Sequence, residues 1–123
     1  LVDEFVVPYR DQGLAPFGGG WVHYCGDNAH VYRSLLRSPW VRGINFGNPE
    51  RHDFSRVIPE LIAAGKFYFG APARGADETL EAYFRRTLGY TSGTRVGLIF
   101  CPELRDNEAA EPARVLELWR GMQ

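Results

Sequence analysis

The residues best suited to chemistry are His23 and Cys25, two positions apart in Trp21-Val22-His23-Tyr24-Cys25-Gly26-Asp27, and Cys101, 76 positions further on. The first segment reads as a strand, where side chains alternate between faces, so His23 and Cys25 leave on the same side. An imidazole and a thiol are then within reach of one metal ion. Cys101 is the chain's only other cysteine. If the three converge, they form an open zinc centre, with a fourth position for a substrate. The competing reading is a core pair, with a buried free cysteine and a histidine that satisfies a backbone group. A Cys25–Cys101 disulfide is disfavoured, because two cysteines do not make a disulfide scaffold and the default setting is reducing and cytoplasmic.

The elements that must position these groups alternate between strand and helix. A helical stretch from Glu4 to Gln12, interrupted by Pro8, leads through Gly18-Gly19-Gly20 into a first strand, Trp21 to Cys25. A helix is expected from about Asn28 to Arg37, with Val31, Leu35 and Leu36 on one side, and a second strand from Val41 to Phe46. Asp53 caps a helix whose Phe54, Val57, Ile58, Leu61 and Ile62 recur with helical period, and Gly65 ends it. The third strand, Lys66 to Gly70, is nearly all apolar, as for a strand covered on both faces. Asp77 opens a helix that carries Leu80, Tyr83, Phe84 and Leu88. A fourth strand runs from Arg95 to Cys101, and a last helix begins near Pro112 with an inward stripe of Val115, Leu118, Trp119 and Met122.

Such units, strand then helix, imply a parallel sheet. The triple glycine precedes its strand, so it reads as a turn and not as a phosphate-binding loop. That favours half of an eight-stranded barrel over a small dinucleotide-binding sheet. The expected fold is therefore α/β, with four βα units forming one half of a TIM (β/α)8 barrel. Residues 1–123 are then a single partial domain. A half barrel has two unpaired parallel edges, so the chain is expected to pair with a missing N-terminal half-barrel or to self-associate as a dimer. Its start at Leu1 agrees with a piece of something longer.

Barrel chemistry gathers at the C-terminal ends of the strands, where His23, Cys25 and Cys101 all fall. Asp27 and Asn28 follow the first strand and are expected to orient His23. Asn45, Asn48 and Glu50 follow the second strand and Arg74 the third, as candidate substrate contacts; Arg74 suits a carboxylate or sulfonate held bidentately. His30 and His52 read as surface histidines near helix starts. Phe67, Tyr68 and Phe69 read as strand packing, and Arg85-Arg86 as a solvated helix face. The balance of 14 basic and 15 acidic residues in 123 gives a net charge of -1, with no basic stripe for nucleic acid. No apolar run approaches the ~20 residues of a membrane span, and no signal peptide opens the chain.

Phe5-Val6-Val7-Pro8-Tyr9, Phe17-Gly18-Gly19-Gly20-Trp21-Val22-His23-Tyr24-Cys25-Gly26 and Gly43-Ile44-Asn45-Phe46-Gly47-Asn48-Pro49-Glu50 resemble the C-terminal half of the uroporphyrinogen decarboxylase-like superfamily. These are (β/α)8 barrels that include porphyrinogen decarboxylases and corrinoid-dependent methyltransferases. The methyltransferase branch binds zinc through a His-x-Cys pair and a distant Cys, and His23, Cys25 and Cys101 match in type and order. The resemblance implies methyl transfer from a corrinoid on a partner protein to a small thiol, with zinc as the cofactor. It also admits a porphyrinogen decarboxylase-type lyase. However, Leu98-Ile99-Phe100-Cys101-Pro102 stands where decarboxylases carry an Asn-Leu-Gly-His-Gly type segment. A non-catalytic fragment that binds a partner through its edges is the third reading.

Overall fold

The computed structural model describes residues 1–94 and 96–122. Its framework is a four-stranded sheet, all parallel, in the order β1-β2-β3-β4: Gly20–Tyr24, Val41–Phe46, Phe67–Gly70 and Leu98–Phe100. The helices are α1 (Val2–Phe5), α2 (Val7–Leu14), α3 (Ala29–Arg37), α4 (Phe54–Ala63), α5 (Leu80–Tyr90), α6 (Asp106–Ala109) and α7 (Pro112–Gly121). The expected alternation of strand and helix is present.

Local chemistry accounts for most of the boundaries. Asn28 caps α3 by accepting from the backbone N–H groups of His30 and Val31, each at 3.1 Å. Asp53 caps α4 through Ser55, and Gly65 follows with φ +65°. Pro8 does not interrupt a single helix. The break comes at Val6, and Pro8 lies in the first turn of α2, where a missing N–H costs nothing. The helix expected from Asp77 begins at Leu80 instead, because the Thr79 hydroxyl takes the Ala82 N–H and the preceding residues form a loop. The fourth strand is shorter than expected, at Leu98–Phe100, and its expected first residue, Arg95, lies outside the described residues.

Register decides which face each strand residue occupies. Val22 stands beside Ile44, Ile44 beside Tyr68, and Tyr68 beside Leu98. These four, with Tyr24 and Phe46, join Tyr32, Leu35, Phe54, Val57, Ile58 and Leu61 of α3 and α4 in one core. Phe100 joins Tyr83, Phe84, Val115 and Trp119 in a second core under α5 and α7. The helices therefore cover one face. The alternate residues form the other face: Trp21, 51 % exposed, His23, Asn45, Phe67, Phe69 and Ile99, 47 % exposed. The third strand is thus covered on one side only, contrary to the expectation from its apolar run. Phe67 and Phe69 lie half-buried on the open side.

At the N-terminal end of the sheet Lys66 is buried, and its ammonium donates to the carbonyls of Ser38 (2.7 Å) and Val41 (2.6 Å). Burial holds its pKa below the ordinary lysine value. Among the described residues, no helix is long and apolar enough to cross a membrane.

Candidate functional site

The site is assembled by pairing of β1 with β2. His23 lies beside Asn45 in the register, and both side chains rise on the open face. The Asn45 amide nitrogen donates to the Phe69 carbonyl at 2.5 Å, which turns its oxygen toward His23. That oxygen is 2.5 Å from His23 Nδ1. A carbonyl oxygen only accepts, so Nδ1 carries the ring proton and Nε2 keeps its lone pair. Nε2 lies 3.4 Å from Cys25 Sγ. One strand neighbour thus selects the tautomer, and the tautomer presents a nitrogen acceptor to a thiol.

The close packing needs glycine at position 47. A Cβ there would stand 2.4 Å from Cys25 Sγ and 3.2 Å from His23 Nε2. Both cysteines are free and exposed in the single chain. Trp21 and Phe69 pack as a tilted pair on the same open face, with ring centroids 5.1 Å apart.

The pair fits a soft divalent ion. Zn–S near 2.3 Å and Zn–N near 2.0–2.1 Å, at the tetrahedral angle, put the two donors about 3.6 Å apart. The 3.4 Å between Sγ and Nε2 is close to that edge. The Nδ1 contact to Asn45 is the outer-shell support that metal-binding histidines usually have. Cys101 stands at the end of β4, its backbone N–H continuing the ladder to the Gly70 carbonyl. It is three strand spacings from Cys25, and no three His, Cys, Asp or Glu side chains among the described residues gather closely enough to hold a metal.

The other expected rim residues have different partners. Asn28 is occupied as the α3 cap, so it does not orient His23. Asp27 faces Tyr24, whose phenol is pushed up to about 12 by burial and by that carboxylate; Asn45 holds the imidazole. Asn48 accepts from the Gly26 N–H at 3.0 Å and donates to Glu50 at 3.3 Å, tying the loops after β1 and β2 together. Glu50 is exposed. Arg74 has no donor left for a substrate: its guanidinium binds Glu108 (2.5 and 2.8 Å) and the carbonyls of Glu78 and Glu103. Its side chain is only 3 % exposed. The reading of Arg86 as solvated also fails, since it pairs with Glu78 at 2.7 Å and donates to Tyr90. Arg85 is the solvated member of that pair.

Sequence reasoning had not assigned Asn45 its role on His23, nor marked Gly47. The shared register of β1 and β2 was the usable signal, because Asn45 and Gly47 repeat the spacing of His23 and Cys25. It also placed His52 on the surface, whereas His52 stacks on Phe46 at 3.7 Å and its Nε2 lies 3.2 Å from the Gly26 carbonyl. Compared with known proteins, the chain matches no protein-family model, no curated protein and no solved structure.

Proposed function

We propose that the four βα units are half of a (β/α)8 barrel of the uroporphyrinogen decarboxylase-like kind, and that His23, Cys25 and Cys101 bind zinc for methyl transfer from a corrinoid to a small thiol. The observation that carries this reading is the 3.4 Å approach of His23 Nε2 to Cys25 Sγ, with the Nε2 lone pair set free by Asn45. Zinc, when bound there, holds a substrate thiol as its thiolate at neutral pH. The chain's own part is positional. His23 and Cys25 aim two donors into the open face, and Asn45 stops the ring from turning. Trp21 and Phe69 give that face an apolar wall. Cys101, exposed at the C-terminal end of β4, is the third ligand of this reading, although among the described residues of a single chain it stands three strands from the His23–Cys25 pair. The corrinoid, carried on a partner protein, is the methyl donor that the resemblance implies. The two free edges call for four further βα units, from a preceding half-barrel or from a second copy.

Metal analysis of the freshly reduced chain tests the reading. One zinc per chain is expected, lost in His23→Gln, Cys25→Ser and Cys101→Ser. The zinc-loaded chain should demethylate free methylcobalamin in the presence of a thiol. Wild-type protein that retains no more zinc than Cys25→Ser overturns the proposal.

A further inference from the structure

We propose that a second copy of this chain closes the sheet into an eight-stranded ring and that its Cys101 completes the ligand set of each His23–Cys25 pair. The metal part rests on the function proposed above; the closure rests on the sheet alone.

The strand order puts the two halves of the ligand set at opposite edges, His23 and Cys25 on β1 and Cys101 after β4. Within one chain they are three strand spacings apart, about 14 Å at 4.8 Å per strand. Two cysteines on one zinc have Cα atoms no more than about 9 Å apart, given Zn–S bonds near 2.3 Å. A copy related by a twofold axis along the strand direction keeps every strand parallel and lays its β4 beside this β1. The separation then falls from three strand steps to one, whatever the relative height of the two cysteines. Twofold closure also uses both free edges and leaves none.

The surface that such a copy covers is already apolar. All-parallel sheets are ordinarily buried on both faces, yet Trp21 and Ile99 are about half exposed on the open side. Near the β1 edge, α1 packs on α3 while Leu1, Phe5, Val6 and Tyr9 of the leading helices stay 91, 60, 47 and 71 % exposed, and Phe17 83 %. Along the β4 edge, a groove of 340 Å³ is lined by Phe84, Leu88, Leu98, Phe100, Leu116 and Trp119. Aromatic side chains of ~200 Å² each, more than half uncovered at four positions, with the aliphatic neighbours approach the ~800 Å² per partner of a stable interface. Closure brings the β1-edge patch of each copy against the β4-edge groove of the other.

Ligand sharing has an arithmetic test. Cys25→Ser and Cys101→Ser chains, each alone, should be zinc-free dimers by light scattering. Mixed one to one and re-isolated as heterodimers, they should regain one zinc per dimer, because one of the two shared sites is then fully wild type. If the wild type binds zinc but the heterodimer regains none, sharing is overturned. A monomeric wild-type chain that holds one zinc overturns the closure and leaves the metal reading standing, with a preceding half-barrel as the natural cover. A short bis-maleimide that links wild-type chains, but neither Ser variant, supports closure even if zinc is absent, in which case the metal reading alone fails.

Discussion

At the residue scale the site depends on one amide. Asn45 spends its nitrogen on the Phe69 carbonyl and its oxygen on His23, so the tautomer at His23 is dictated two strands away. In the proposed zinc site, Asn45→Ala should therefore weaken metal binding 10- to 100-fold, the usual cost of losing an outer-shell partner, with the circular dichroism spectrum unchanged. Competition against a chromophoric chelator measures it, and unaltered affinity would refute the tautomer argument. Gly47→Ala should do more harm, since its methyl overlaps the position of Cys25 Sγ. The same residues show what could be read beforehand. The period of two placed His23 and Cys25 on one face. The partner of His23 depends on the offset between β1 and β2, and no single-strand pattern encodes that. Asn28 looked like a partner by proximity in sequence, but its strongest competitor was local, the unpaired N–H groups at the start of α3.

At the element scale, the ion pairs hold loops in place. Arg74 buries its guanidinium on Glu108, and Arg86 does the same less deeply on Glu78. Arg74→Ala leaves Glu108 without its cation and should destabilise the fold by about 3 kcal/mol, as read from urea unfolding. The Arg74 guanidinium holds the Glu108 carboxyl down at about 2, and Arg86 holds Glu78 below its ordinary value. Depressed folded-state values mean that both carboxylates stabilise above their unfolded pKa near 4.5 and lose that contribution as pH falls toward 2. The urea midpoint of wild type should drop across pH 5 to 2, and Arg74→Ala should flatten that drop. The helices themselves were legible, because α4 announces its buried stripe, its Asp53 cap and its Gly65 stop within a dozen residues. The Arg74–Glu108 pair was not, since its members lie 34 positions apart and isolated charges read as solvated. The burial of Lys66 was not legible for a related reason. Its burial depends on two carbonyls, of Ser38 and Val41, that belong to another crossover.

At the scale of the whole molecule, the parallel sheet carries its helices on one face and leaves apolar side chains exposed on the other. Consecutive strand order and a one-sided helical layer agree with four βα units, and the strand-helix spacing of the chain showed that much. The bare second face did not show, because Phe67-Tyr68-Phe69 reads the same whether one side is covered or two. A folded state that is completed by association gains stability with concentration. Tm of the wild-type chain should rise as protein is concentrated over two orders of magnitude. Trp21→Glu, which puts a charge on the open face at the β1 edge, should abolish that rise. A Tm that does not move with concentration would mean that the open face is tolerated in the single chain.

The clasp between Arg74 and Glu108 has a consequence for traffic across the rim. It fastens the crossing after β3 to α6, so that quadrant moves as one rigid piece. The crossings after β1 and β2 are joined through Gly26, by way of Asn48 and His52, and through the packing of Gly47 on Cys25. In the proposed function, entry of a reactant would then come from their side, as a door opens at the latch and not at the hinge. Amides from 26 to 28 and 47 to 52 should trade deuterium faster than those from 103 to 108, and equal rates would remove this asymmetry.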